Sequence, residues 1–307
     1  MSQNFFVGRT RELQRYQKFL SRETPWVLII RGLGGSGKSR LLTEIERQEK
    51  LKLADTCVVT LDFAKKSFRD DYLTLLENFS KPVESSCDPE RTVELRKSIA
   101  NGRYEIGKRI VSGNTQVGEI HQEFTTGDDV TVDRTELTLA VGEAQIQETR
   151  RQMREISKEN FYRQMKTFNK RRLIILLDTC EWLSELTGAE AGQWALDELI
   201  PELHFSMQEK SQQCFVVMAT RLPLQLNGIR EQDHEELKLG MLTKADVYQY
   251  LEPMDIQDPL IKDHIFNMTY GHPHSLSIIY DIWEEQRELS DTPLWWATLS
   301  RHQNRLK

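Results

Sequence analysis

The eight residues Gly32-Leu33-Gly34-Gly35-Ser36-Gly37-Lys38-Ser39 fit the spacing G-x-x-x-x-G-K-[ST] throughout. Each position has a chemical reason. Glycines admit positive φ angles and let successive backbone N–H groups close around phosphate oxygens. A helix that starts at the end of the loop points its positive dipole end at the same anion. Lys38 offers a point charge that can bridge β and γ phosphates, and the Ser39 hydroxyl can ligate Mg²⁺. The candidate nucleotide contacts here are Gly32, Gly34, Gly35, Ser36, Gly37, Lys38, Ser39 and Arg40.

A phosphate loop needs a second Mg²⁺ partner at the end of a neighbouring strand. The apolar run Leu173-Ile174-Ile175-Leu176-Leu177 supplies one by ending at Asp178, which would hold the metal directly or through a water. Glu181 could polarise an attacking water or tune the metal shell. A further apolar run, Cys214 to Ala219, ends in Thr220-Arg221. A guanidinium there would sit near the γ-phosphate and tell triphosphate from diphosphate. Lys38, Asp178, Glu181 and Arg221 are thus the catalytic candidates, with Ser39 and Asp178 as metal ligands. His272 and His274 flank Pro273 with no third ligand at suitable spacing. They read as turn residues rather than a metal pair.

These residues need a frame. Trp26 to Ile30, residues 57 to 63, Leu173 to Leu177 and Cys214 to Ala219 are short continuous apolar runs that suit buried parallel strands. Helical patterns at 10–20, 40–50 and 70–79 alternate with the first two, the order of a parallel α/β sheet. Residues 193–207 are helical, with a kink or break expected at Pro201. Between 81 and 144, Pro82, Pro89 and six glycines separate alternating residues such as Val130, Val132, Leu137, Leu139 and Val141. That pattern predicts an inserted segment of β-hairpins. From about 240 the strands stop, and 243–252, 258–269 and 274–288 read as helices. The expected organisation is an α/β nucleotide domain in two halves (1–80 and 145–239), a β-rich insertion (81–144) and a helical subdomain (240–307).

The chain has 307 residues, of which 38% are hydrophobic and 29% charged. This is the balance of a soluble protein with a real core. Its net charge of −6 argues against a nucleic-acid partner. No window approaches 18 uncharged apolar residues and the N-terminus has no secretory pattern, so no membrane segment is expected. The four cysteines form no CxxC pair and read as reduced thiols of a cytoplasmic protein.

Taken in order, Phe6-Val7-Gly8-Arg9, the phosphate loop, LIILLDTCE, MATR and Gly271-His272-Pro273 resemble the STAND class of P-loop NTPases, the AAA+-related switches that include NB-ARC and NACHT proteins. The segment before the loop also resembles that of origin-recognition-type AAA+ ATPases. The resemblance implies that Phe6, Val7 and Arg9 pack against adenine, that Pro273 touches the base from the other side, and that Arg221 is the sensor after the fourth strand. It implies an ATPase with ATP or ADP and Mg²⁺ as ligands, and a homo-oligomer or a separate effector or sensor protein as partner. The AAA+ pattern has Glu directly after the metal-binding Asp. Thr179 stands there in this chain, and Glu181 follows two positions later, as in other STAND patterns. That favours a slow switch over fast hydrolysis. The alternatives are a DNA-handling ATPase of the initiator or transposition-helper kind, and a nucleotide-dependent binding scaffold.

Overall fold

The computed structural model describes residues 6–52, 55–123, 131–185 and 189–289. In chain order the main elements are α1 (Thr10–Leu20), β1 (Val27–Arg31), α2 (Lys38–Leu51), β2 (Thr56–Asp62), α3 (Lys66–Asp70), α4 (Tyr72–Ser80), α5 (Pro89–Glu123) and α6 (Thr131–Met165). After these come β3 (Arg172–Asp178), α7 (Glu181–Glu185), α8 (Glu190–Trp194), α9 (Ile200–Gln208), β4 (Gln213–Thr220), β5 (His234–Lys238), α10 (Lys244–Leu251), α11 (Pro259–Thr269) and α12 (Pro273–Leu289). The chain divides into two compact units. One holds Met1–Ala64, Arg172–Leu186 and Cys214–Lys307; the other holds Lys65–Arg171 and Thr187–Gln213.

The first unit is built on a five-stranded sheet in the order β2-β3-β4-β1-β5, with the pairs β1–β4, β1–β5 and β2–β3 all parallel. The four apolar runs are its inner strands and β2, buried from Leu28 to Ile175 and Val217 because helices cover the faces of a parallel sheet. Sequence periodicity gives no warning of β5. Its residues His234-Glu235-Glu236-Leu237-Lys238 are mostly polar, and only Leu237 is buried. One-sided pairing to β1 makes it an edge strand, where charged side chains are tolerated. Helices α10 to α12 enclose a cluster of their own, with Val247, Leu251, Ile265, Leu276 and Ile279 fully buried.

The second unit corrects the expectation for 81–144. That segment is helical: a 3₁₀ turn at Lys81–Ser86, then most of α5 and the start of α6, with Val132, Leu137, Leu139 and Val141 inside α6. Val130 lies outside the described residues. Two signals were ambiguous. Pro89 sits at the first position of α5, where its missing N–H costs nothing, and Asp88 accepts the Glu90 N–H at 2.7 Å as the cap. Gly102 lies in the interior of α5. A Cβ there would come within 2.9 Å of Leu73 Cδ1 and 3.3 Å of Met153 Cβ, so this glycine permits close helix packing rather than a turn. Near Pro201, a π-helical turn at Ala195–Leu199 joins α8 to α9 and absorbs the proline's missing donor.

Candidate functional site

The phosphate loop runs from the end of β1 to the first turn of α2. Gly32 N–H donates to Thr220 O at 3.3 Å, which ties the loop's start to the end of β4. Gly35 and Gly37 take φ of 71° and 91°, a region that costs a residue with a Cβ about 1 kcal/mol or more. Lys38 Nζ donates back to Gly32 O at 2.8 Å and Leu33 O at 2.9 Å, curling over the loop. Burial lowers the Lys38 pKa, while the Glu181 and Asp178 carboxylates act against that shift.

Asp178 ends β3, and Glu181 begins α7. The sequence placed Asp178 on a strand next to β1, but β4 lies between β3 and β1. Two strand spacings, about 10 Å, therefore separate the ends of the two strands. The Ser39 hydroxyl bridges the gap by hydrogen bonding to the Asp178 carboxylate, and Thr179 N–H donates to Asp178 Oδ1 at 2.8 Å. Burial raises the Asp178 pKa, and nearby Asp62 and Glu181 push it the same way, against those two hydrogen bonds.

Thr179 takes a φ of 58°, an unfavourable conformation for a β-branched residue. Its Oγ1 donates to Asp62 Oδ1 at 2.9 Å, and Asp62 is the residue on β2 in register with Asp178. This second strand-end carboxylate belongs to the site, although the sequence reading did not single it out. Its signal was the same as that of Asp178: an apolar strand, CVVTL, closed by an acid.

Two connected clefts meet at the loop. The base-side cleft is lined by Phe6, Val7, Arg9, Ser36, Gly37, Arg40, Leu242, Tyr250, Pro273 and Leu276. Arg9 is buried there, with one Nη bonded to Glu12 and the other to Ser36 O and Gly240 O at 2.9 and 2.7 Å. It thereby fastens the chain before α1 to the phosphate loop. Ser36 Oγ is buried and has no hydrogen-bond partner among the described residues. The phosphate-side cleft is lined by Lys38, Ser39, Asp178, Thr179, Glu181, Arg221, Pro273, His274 and Ser277, among others.

The turn carrying His272 and His274 packs onto the phosphate loop. His272 Nε2 contacts Gly34 O at 3.0 Å, and its Nδ1 faces the Ser275 N–H at 3.4 Å. His274 N–H donates to Gly35 O at 3.2 Å.

Ser39 and Asp178 fit a divalent cation. Both are hard oxygen donors already within hydrogen-bond range of each other. Among the described residues no group of three or more His, Cys, Asp or Glu is placed to hold a metal alone. Mg²⁺ suits such a site because it takes one or two protein ligands and completes its shell from phosphates and water.

No family model matches the chain, and no curated protein matches it. Solved structures do. A STAND protein with a tetratricopeptide repeat sensor from Pyrococcus horikoshii is 14% identical over 89% of this chain and 29% of its own, with a TM-score of 0.41. The Aeropyrum pernix ORC2 protein is 12% identical over 94% of this chain and 66% of its own, with a TM-score of 0.49. DnaA from Aquifex aeolicus is 12% identical over 92% and 63%, with a TM-score of 0.43. The chain spans less than two thirds of the length of each. These likenesses are distant, and the chain's own geometry decides its fold: a buried strand, a phosphate loop with two left-handed glycines, the helix that follows, and strand-end acids two strands away. The fold is that of a P-loop NTPase. Arg9, Arg221 and Pro273 line the clefts at the phosphate loop. Among the described residues no helix is long and apolar enough to cross a membrane.

Proposed function

We propose that this chain is an ATP-binding, slowly hydrolysing switch of the STAND and AAA+ type. One observation carries the reading. The residues that open α12 rest on the phosphate loop itself, through His272, just before the helix, to Gly34 O and through the His274 N–H to Gly35 O. Whatever displaces those two carbonyls displaces α12. In this reading the helices within 240–289 act as a subdomain, held down by one nucleotide state and released by the other, and release drives assembly with further copies or an effector; residues 290–307 of the expected subdomain lie outside the described residues.

The residues divide the work. Backbone N–H groups of Gly35 to Ser39 receive the phosphates, with the N-terminus of α2 behind them. Lys38 exchanges its two carbonyl partners for phosphate oxygens. Ser39 and Asp178 would hold Mg²⁺, which supplies charge neutralisation across the phosphates when bound. Phe6, Val7, Tyr250 and Pro273 form an apolar slot of suitable chemistry for a purine. Thr179, strained and bonded to Asp62, occupies the place of a catalytic acid, which fits slow turnover.

The test is mass photometry of the purified chain with ADP, ATP and a non-hydrolysable ATP analogue, beside Lys38→Ala. Growth in mass with triphosphate, lost in the variant, supports the switch. If mass and protease sensitivity are the same in all three nucleotide states, the switch is wrong.

A further inference from the structure

Glu181 and Arg221 hold each other. Arg221 Nε donates to Glu181 Oε1 at 2.9 Å, and the Arg221 backbone N–H donates to Oε2 at 3.3 Å. Both oxygens of one carboxylate are thus engaged by one residue. The Glu181 side chain is only 7% exposed, whereas that of Arg221 is 59% exposed. A buried carboxylate requires such a partner. A general base, by contrast, must present an oxygen to water within hydrogen-bond range.

The other end of the guanidinium points elsewhere. A Cβ placed on Gly34 would lie 3.5 Å from Arg221 Nη1, so the guanidinium edge runs along the phosphate loop. Its five donors lie in one rigid plane. Fixing Nε on one side therefore fixes where the Nη donors point on the other.

We infer that Glu181 is a positioning residue that aims the Arg221 fork at the terminal phosphate, and that it is not the base that polarises the attacking water. This rests on the nucleotide-binding function proposed above. It accounts for triphosphate recognition through the aimed guanidinium.

The experiment uses the full chain with Mg²⁺. Calorimetric affinities for ADP and for a non-hydrolysable ATP analogue, together with hydrolysis rates, are compared for wild type, Glu181→Gln, Arg221→Ala and the double variant. Glu181→Gln preserves size, so ADP binding also reports that the site is folded. The ratio of triphosphate to diphosphate affinity is expected to fall about tenfold in each single variant. The double variant should fall no further than Arg221→Ala, because the two residues act as one unit. Glu181→Gln with a wild-type ratio but no hydrolysis would make Glu181 the base and overturn the inference. Arg221→Ala with a wild-type ratio overturns it too, since no aimed fork then exists. A wild-type chain that binds neither nucleotide overturns the nucleotide-binding function itself, and is distinguishable on that ground.

Discussion

Asp178 carries an electrostatic cost in the folded chain. Burial, then Asp62 and Glu181, raise its pKa above the ordinary carboxylate value. The folded chain therefore keeps this proton to higher pH than the unfolded chain does. Between the two pKa values the folded state binds more protons, so this group's contribution to stability falls as pH rises through that window. Asp178→Asn should raise the melting temperature of the nucleotide-free protein, by about 0.5–1 kcal/mol in stability, and flatten the fall across the carboxylate range. The gain is small because the carboxyl is only partly buried. The same variant should lose most of the Mg²⁺-dependent part of its ATP affinity in titration calorimetry. A lower melting temperature would show that Asp178 is a structural cap. Lys38→Ala is the sharper loss. It removes the one lysine over the loop and should weaken ATP binding by about a hundredfold, or 2–3 kcal/mol. The loop and Asp178 were legible in the sequence because their chemistry is local and dense. Asp62, Tyr250 and the two histidines were not, since only tertiary contact brings them to the loop. Nor does sequence mark Thr179 as a left-handed residue, because β-branched side chains normally avoid that region.

At the scale of elements, the inner strands were plain because burial on both faces makes them continuously apolar. The hairpin expectation failed because glycine has two uses, and spacing alone does not tell a turn from a helix crossing. Gly102 offers a direct check. Gly102→Leu would force a side chain into the space occupied by Leu73 and Met153 and should destabilise by about 2 kcal/mol in denaturant melts. A turn glycine would tolerate the change far better at the surface. Gly35 has a different constraint. A Cβ there would meet His272 Cε1 at 2.6 Å and His274 Cβ at 2.9 Å, on a residue with φ of 71°. Gly35→Ala should therefore lift the α12 turn off the loop. The expected outcome is faster proteolysis within residues 240–289 than in wild type, with ATP affinity reduced. Unchanged cleavage would mean that the histidine contacts do not hold α12 in place.

For the whole molecule, the two units make the nucleotide effect separable. Every residue lining the two clefts belongs to the unit built on the sheet. A ligand that binds the folded state alone stabilises it by RT ln(1 + [L]/Kd), about 2.7 kcal/mol at a hundredfold excess over Kd. For a unit of this size that is a shift of roughly 5–10 °C. Scanning calorimetry with Mg²⁺ and ADP should therefore raise the transition of the sheet-based unit by that amount in wild type and not at all in Lys38→Ala. If the helical unit of α3 to α6, α8 and α9 melts independently, its transition should stay where it was, and proteolysis during the scan should cut it first or last irrespective of nucleotide. A shared shift of both transitions would instead mean that the units unfold as one, so that nucleotide binding at the loop is felt along the whole chain. That second outcome would extend the switch to the long helical pair α5 and α6 and make it the first place to look for the partner.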